Sequence, residues 1–274
     1  MVSTVLVHAA IVILALASGF GFLAVRRDST APLQWARFLA GLAGLLILAV
    51  LVRRGIQIEK APLVSRFDTH LLAALLLVAV ALGIDLLRSM PILTIGALPP
   101  ALVSLILAAA TGEPPRDPSV PFASTPVAGV HAVLTLLAFV AFAVAFVTAL
   151  LFLIEQRQLK SHGAPPALGM MPSLEASYRM TLQGVIGGVV LLTGGILAGY
   201  LYGRQVLVPH SGWQMDAKIL ITSAIWVAYL IVAVLSFVPS LKGRRTALAS
   251  ALCFVVSMAA SWVASFWSGF HRHM

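Results

Sequence analysis

Residues 118–154 read PSVPFASTPVAGVHAVLTLLAFVAFAVAFVTALLFLI, a run that contains no Lys, Arg, Asp or Glu. An α-helix crosses the hydrocarbon core of a bilayer with roughly 20 apolar residues, so this run is long enough to span it. The rest of the chain has the same character, with 60% hydrophobic and 10% charged residues, whereas soluble domains carry about 25% charged residues. The composition therefore predicts an all-α, polytopic membrane protein.

Apolar runs of similar length recur along the whole chain, and no strand pattern competes with them. Two of the runs contain a charged residue: Arg37 lies near one end of its run, and Asp85 lies near the other end of the next. A long arginine side chain such as that of Arg37 can snorkel to the membrane interface. Because each charge lies near the end of its run, both runs are accepted as spans. We expect one transmembrane domain over 1–274, a bundle of about eight helices. The predicted spans are about 2–25, 33–52, 69–87, 91–110, 126–154, 180–202, 217–238 and 246–267.

The charges in the loops indicate the orientation of this bundle. The first span has no Lys or Arg before it and is followed by Arg26 and Arg27, and cytoplasmic loops are the ones that carry an excess of these residues. The N-terminus is therefore expected outside the cytoplasm. An even number of spans then places both termini on the extracytoplasmic side, and the expected location is the bacterial cytoplasmic (inner) membrane.

The net charge of +9 and the pI near 10.6 do not indicate a nucleic-acid partner. The basic residues are spread over short loops and form no patch of the kind that binds nucleic acid, so they are explained by topology and by anionic lipid of the bilayer. The single cysteine, Cys253, excludes an intrachain disulfide and a paired-thiol site. No Walker A, HExxH or GxSxG motif is present, so the motifs do not indicate an enzyme.

Five of the seven histidines fall on the predicted outer face: His70, His131, His210, His271 and His273. Of these, His131 and His271 are placed at the outer ends of helices, which hold a side chain more firmly than a loop does. A lone interfacial histidine is usually an amphipathic anchor, and that interpretation stays open for each of them. Two helix-anchored imidazoles on one face can, however, supply both axial ligands of a haem iron.

The segment HSGWQMDAK at 210–218 is a polar island between two apolar runs, on the same predicted face. Trp213 can stack on a porphyrin plane, and Asp216 can orient a ligand histidine by accepting its hydrogen bond. An aromatic-belt tryptophan and a helix-start aspartate are the simpler alternatives, and spacing alone does not distinguish haem from another anion. The outer basic residues that can pair with propionate groups are Lys218, Arg204, Arg53 and Arg54.

The order of several short motifs resembles the cytochrome c assembly family, whose members include the CcsA, CcmC and HemX-like proteins. Residues 213–229, WQMDAKILITSAIWVAY, are similar to its tryptophan-rich WWD segment. KGRRTALASA at 242–251 resembles its G-R-R-A loop, and SGFH at 268–271 resembles its terminal S-G-x-H. The residues that hold the positions of the WWD pattern are Trp213, Asp216, Lys218, Trp226 and Tyr229.

This resemblance implies a haem-handling function. In the family, the WWD segment faces outward and two histidines flank it as haem ligands; by position, these are His131 and His271. The implied cofactor is a non-covalent, b-type haem whose iron is held through these two residues. His70 and His210 are reserve ligands on the same face. The implied partners are haem, other cytochrome c assembly proteins or an apocytochrome c.

The chain departs from the family pattern at several positions. Met215 replaces the second Trp of the motif, Ala217 its Pro and Ile219 its Glu, and Val234 stands where haem lyases have a histidine. These departures favour the HemX-like branch and do not support a self-contained haem lyase. The leading hypothesis is a haem-binding membrane protein of cytochrome c assembly. Two alternatives stay open: a non-catalytic accessory or regulatory membrane protein, and a secondary transporter of another small molecule.

Overall fold

The computed structural model describes residues 2–58, 65–114, 126–160, 172–206 and 215–267. Within these ranges the chain forms α-helices, one short 3-10 helix at Pro239–Leu241, and no strand, so the predicted all-α class is confirmed. The α-helices are α1 (Val2–Arg27), α2 (Thr30–Ile58), α3 (Arg66–Arg88), α4 (Pro91–Thr111), α5 (Pro126–Lys160), α6 (Leu174–Val206), α7 (Ala217–Leu235) and α8 (Arg244–Trp267).

Helices α1 to α7 are each long and apolar enough to cross a bilayer, with mean hydropathies between 1.9 and 2.9. The chain is therefore an integral membrane protein with seven candidate spans. The eighth predicted span, 246–267, forms α8, but α8 is not among the seven candidates found in the described residues. The predicted count of about eight is confirmed for seven spans, and the predicted orientation of the termini stays a prediction.

Helix α5 is longer than the span predicted from its charge-free run. Its 35 residues correspond to about 52 Å at 1.5 Å per residue, against a hydrocarbon core of about 30 Å. The helix does not end with the apolar run at residue 154. Its backbone hydrogen bonds continue through the charged residues that follow, up to Lys160. Helix α7 instead ends at Leu235, before the predicted end at 238. Pro239 disfavours helical geometry in the residue before it, and Val238 is extended (φ −81, ψ 117).

The chain divides into two compact units, and α5 and α6 contribute to both. The first unit comprises Met1–Ser119 and Ile154–Ser177, and the second comprises Val120–Leu153 and Tyr178–Met274. In the first unit α1 packs on α2 and α4, and α3 packs on the same two helices, so the four helices close a ring. Fully buried apolar side chains such as Leu14 fill its interior.

An ion pair joins α2 to α3 inside the first unit. Arg37 donates from Nε and Nη2 to the two carboxylate oxygens of Asp85, at 2.8 and 2.6 Å. Thr94 of α4 donates to the same carboxylate at 2.9 Å. The Asp85 side chain is fully buried, whereas that of Arg37 is 29% exposed. The guanidinium of Arg37 thus binds the charge of the neighbouring helix, which removes the cost of an unpaired buried carboxylate; its position relative to the membrane interface stays a prediction.

A second ion pair joins the opposite ends of the same two helices. Arg54 of α2 donates to both carboxylate oxygens of Asp68 on α3, at 3.1 and 3.2 Å, and its side chain is 5% exposed. The two pairs are seventeen residues apart on each helix (54 − 37 and 85 − 68), or about 26 Å along an α-helix.

The second unit is built on α5 to α8 and has an aromatic interior. Phe139 and Phe146 of α5 pack on Phe254 of α8, with ring centroids 5.6 and 4.8 Å apart. Phe142 of α5 stacks on Tyr229 of α7, with centroids 3.6 Å apart and ring planes 8° from parallel. Because α5 contacts both α7 and α8 through one face, it is the central helix of this unit.

Candidate functional site

Glycines on α6 allow α5 to approach its backbone closely. A Cβ atom added to Gly184 would lie 2.8 Å from the Ala141 carbonyl oxygen, and one added to Gly195 would lie 2.7 Å from the Cγ2 of Thr135. Such distances are shorter than van der Waals contact, so no larger residue fits there without movement. Small residues serve this purpose where transmembrane helices pack. Side chains of α5 therefore contact the α6 backbone itself.

His131 uses this close approach to bind the backbone of α6. Its Nδ1 lies 2.7 Å from the carbonyl oxygen of Gly195. A carbonyl oxygen only accepts hydrogen bonds, so Nδ1 is the nitrogen that carries the proton. In a neutral imidazole the other nitrogen, Nε2, then has a free lone pair. Histidines that bind metals are commonly oriented in this way, with one ring nitrogen donating to a carbonyl and the other facing the metal.

One further contact holds the imidazole in place, and a hydrogen bond binds the backbone carbonyl of the same residue. Its Nδ1–Cε1 edge lies against Gly199, where an added Cβ would be 2.8 Å from Nδ1 and 2.9 Å from Cε1. One turn along α5, Thr135 donates from Oγ1 to the His131 carbonyl oxygen at 2.8 Å. The ring is therefore positioned by a hydrogen bond and by direct contact with a bare stretch of helix backbone.

The start of α7 supplies a positive charge to the same region. Asp216 is the N-cap residue of α7, and its carboxylate accepts a hydrogen bond from the Lys218 backbone N–H at 2.9 Å. A capping carboxylate also interacts favourably with the positive end of the helix dipole. The side chain of Lys218 is exposed, and it belongs to the same compact unit as His131. Two of the predicted site residues, Lys218 and His131, therefore lie in the same unit.

The later positions of the WWD-like segment attach α7 to its neighbours. Trp226 donates from Nε1 to the hydroxyl of Thr193 on α6 at 2.8 Å, and Thr193 donates in turn to the Val189 carbonyl oxygen at 2.7 Å. Tyr229 is fully buried against Phe142. Both aromatic residues therefore have a packing role, which fixes the helix that carries Lys218 in its first turn.

Arg204 lies near the end of α6, beyond the glycines that hold His131. It is five residues after Gly199, which corresponds to a rise of about 7.5 Å. The guanidinium carbon lies 6.0 Å from the ring centroid of Tyr200, one turn earlier on the helix. Both side chains are exposed. Besides Lys218 on α7, the second unit therefore carries a second basic group, Arg204, on α6, the helix that contacts His131.

The remaining described candidates belong to the first unit. Arg54 is bound to Asp68, and its Nη1 also donates to the Pro114 carbonyl oxygen at 3.3 Å. Arg53 donates from Nη1 to the hydroxyl of Ser3. His70 follows in the first turns of α3 and is half-buried. The two arginines predicted to pair with propionate therefore have protein partners within their own unit.

Three predicted site residues lie outside the described residues: Trp213, His210 and His271. Their assignments stay predictions. In the parts of the chain that the structure does describe, no group of three or more His, Cys, Asp or Glu is arranged to hold a bare metal ion. The described histidine of the predicted ligand pair, His131, has the donor chemistry that an axial haem ligand needs when its imidazole is neutral, because the proton then lies on Nδ1 and Nε2 has a free lone pair.

Gly195 and Gly199 are the site residues that sequence reasoning missed. Neither has a side chain that carries chemistry, so a search for ligands and charges passes over them. A signal was nevertheless present in GILAG at 195–199 and GVIGG at 184–188, where glycines recur four residues apart in a predicted span. That spacing places them on one face of the helix, where small residues mark helix contacts.

The helices and this site define an all-α integral membrane protein. It holds a histidine where α5 meets α6, and α7 carries part of the WWD-like segment. The sequence profile of the Cytochrome C assembly protein family matches residues 38–271. The chain therefore belongs to the cytochrome c assembly protein family, which handles haem.

The chain is also similar to Protein HemX of Brevibacillus brevis, with 23% identity over 202 residues, which cover 68% of this chain and 70% of that relative. It is a distant HemX homologue, as the resemblance to the HemX-like branch predicts. No solved structure matches the chain.

Proposed function

We propose that this protein holds a non-covalent, b-type haem at the extracytoplasmic face of the membrane and presents it to a partner in cytochrome c assembly. The chain, 1–274, acts as a single haem-handling domain in this proposal. The partner is another assembly protein or an apocytochrome c. One observation carries the proposal: His131 is bound through Nδ1 to the Gly195 carbonyl oxygen, which leaves the Nε2 lone pair for iron.

The second axial ligand in this proposal is His271, with His70 and His210 in reserve. The support comes from the family motif, in which two histidines flank the WWD segment. When bound, haem supplies an iron that takes two neutral imidazoles as axial ligands. The chain's own contribution is to hold the imidazole of His131 in one tautomer and one orientation before the ligand arrives, so that little ordering remains to be done on binding.

The cradle for the porphyrin is the 210–218 segment. Trp213 provides a flat apolar surface, and Asp216 sets the first turn of α7 by capping it. Lys218 and Arg204 are the proposed propionate partners in the same unit as His131, because both are basic and exposed. Arg53 and Arg54 are weaker candidates, since each already donates to groups of the first unit.

The test is the absorption spectrum of the purified protein, as isolated and after addition of haem. Two imidazole ligands give a six-coordinate, low-spin haem. His131→Ala or His271→Ala is expected to open one position and shift the spectrum to high spin, and free imidazole is expected to restore the low-spin form. Trp213→Ala is expected to weaken haem retention about fivefold, because aromatic stacking contributes about 1 kcal/mol.

His162→Ala is the matched control, because that residue falls in the predicted cytoplasmic loop and is expected to leave the spectrum unchanged. If His131→Ala and His271→Ala both keep the low-spin spectrum, the ligand assignment is wrong. If the unmodified protein never binds haem, the proposed function is wrong. The non-catalytic accessory or regulatory role, acting on haem synthesis or on another membrane complex, then takes its place.

A further inference from the structure

We infer that Gly199 is a positioning residue for His131: its missing side chain admits the imidazole edge against α6 and thereby decides that Nε2, rather than Nδ1, meets the iron. The inference rests on the proposed haem ligation by His131. Gly199 itself touches no reacting atom. It acts only through the ring that lies on it.

The distances set the size of the effect. A Cβ at Gly199 would lie 2.8 Å from Nδ1 and 2.9 Å from Cε1 of His131, so the ring must retreat by about 0.6 Å to reach ordinary contact. The hydrogen bond to Gly195, now 2.7 Å, then stretches to as much as about 3.3 Å, beyond the usual N–H···O range. A single methyl group is enough to release the ring from the backbone.

The neighbouring helix geometry shows why both glycines matter. In an α-helix the side chain of a residue leans over the turn before it, so a Cβ at Gly199 stands above the Gly195 carbonyl oxygen that His131 binds. Gly195 itself is bare because the Cγ2 of Thr135 would lie only 2.7 Å from its Cβ. Gly195 brings the carbonyl within reach of the ring, and Gly199 leaves the path to it open.

Release of the ring changes the ligand chemistry. With Nδ1 bound to a carbonyl, the proton is held on Nδ1 and one tautomer dominates. Without that bond, both tautomers and several ring rotations become available, so the fraction of molecules that present Nε2 to iron falls. The general stability of α6 is not expected to suffer, because alanine favours a helix more than glycine does.

The first experiment compares Gly199→Ala with Gly187→Ala, a control on the same helix whose added Cβ meets nothing within 4 Å. Both proteins are purified and loaded with haem. Gly199→Ala is expected to lose most of the low-spin signal and to regain it with free imidazole, whereas Gly187→Ala keeps the parental spectrum. A parental spectrum for Gly199→Ala, in a protein where His131→Ala is high-spin, overturns the inference and leaves the proposed function intact.

The double variant His131→Ala/Gly199→Ala tests whether the effect passes through the ring. Its spectrum and haem retention are expected to match those of His131→Ala alone, because the ring that would clash with the new Cβ is gone. The effects of substitutions at contacting residues are not additive. If the double variant loses haem beyond His131→Ala, Gly199 acts elsewhere and the inference is wrong. Gly199→Ala alone could fail to accumulate in the membrane. In that case, accumulation of the double variant supports the clash with the ring, and failure of the double variant to accumulate overturns the inference.

A second readout needs no haem. Nitrogen NMR of ¹⁵N-histidine-labelled protein distinguishes the two imidazole tautomers, and the His131 signals are assigned by their loss in His131→Ala. We expect a dominant Nδ1–H form in the unmodified protein and in Gly187→Ala, and mixed forms in Gly199→Ala. Unchanged tautomers in Gly199→Ala overturn the inference whether or not the protein binds haem, which separates its failure from that of the proposed function.

Discussion

Replacement of Asp85 by alanine is expected to destabilise the ring formed by α1 to α4. The Asp85 carboxylate is fully buried and accepts three hydrogen bonds, two from Arg37 and one from Thr94. The variant removes the negative charge and leaves the guanidinium and the hydroxyl without this acceptor. The two helices that the pair joins, α2 and α3, lose their link at one end and keep Arg54–Asp68 at the other.

The magnitude follows from the burial of the two partners. Breaking a buried ion pair by removing one partner costs about 3–5 kcal/mol, because the other charge stays uncompensated. The Arg37 side chain is 29% exposed, so its charge is partly solvated in the variant and the lower end of the range applies. We expect the free energy of unfolding to fall by about 3 kcal/mol, which is roughly a hundredfold in the unfolding equilibrium constant.

The assay is unfolding of the purified protein by a denaturing detergent in mild micelles, followed by circular dichroism. Arg37→Met, Asp85→Ala and the double variant complete a cycle that isolates the coupling between the two residues. The control is Asp28→Asn, which removes one negative charge at the exposed turn after α1. Asp28 has a positive φ of 46°, which asparagine also tolerates, so the control is expected to change little.

Replacing a buried ion pair by apolar groups is often neutral or stabilising, so the double variant is expected to be more stable than Asp85→Ala alone. A loss of less than about 1 kcal/mol for Asp85→Ala, the value of an exposed pair, would refute the reasoning. A double variant that is as unstable as the sum of the two single variants would refute it as well, because the residues would then be independent.

Gly188→Ala is expected to lower the thermal unfolding midpoint, because its Cβ would overlap the Phe142 ring that stacks on Tyr229, whereas the open Gly187→Ala is expected to leave it unchanged; equal midpoints would contradict this contact. Asp216→Ala is expected to cost about 1 kcal/mol through loss of the N-cap, seen as faster hydrogen exchange in the first turn of α7, and Asp216→Ser is expected to keep most of the protection. Reporter fusions after α1 and after α7 are expected to read cytoplasmic, and fusions after α6 and at the C-terminus extracytoplasmic; a C-terminus that reads cytoplasmic would remove the shared face of the proposed ligands.

The membrane class and the positions of the helices were predictable because they depend on local composition. A bilayer requires every backbone group of a span to bond within its own segment, so an apolar run of sufficient length is a helix wherever it occurs. The position of His131 near the start of α5 and the helix-start role of Asp216 are local features of the same kind. The motif around Trp226 and Tyr229 indicated the family for the same reason, since it is read within one segment.

The contacts between helices were decided only by the tertiary structure. In lipid, the outward face of a span is as apolar as its packed face, so hydrophobic periodicity does not show which way a helix is rotated. Arg37 and Asp85 therefore appeared as two separate charges near the ends of their spans, although they form one part-buried pair across 48 residues of sequence. The bond from His131 to Gly195 spans 64 residues and depends on a glycine carbonyl that has no side-chain signature. Only the packing of α5 on α6 determines which backbone oxygen lies within 2.7 Å of the ring, and with it which ring nitrogen is left free.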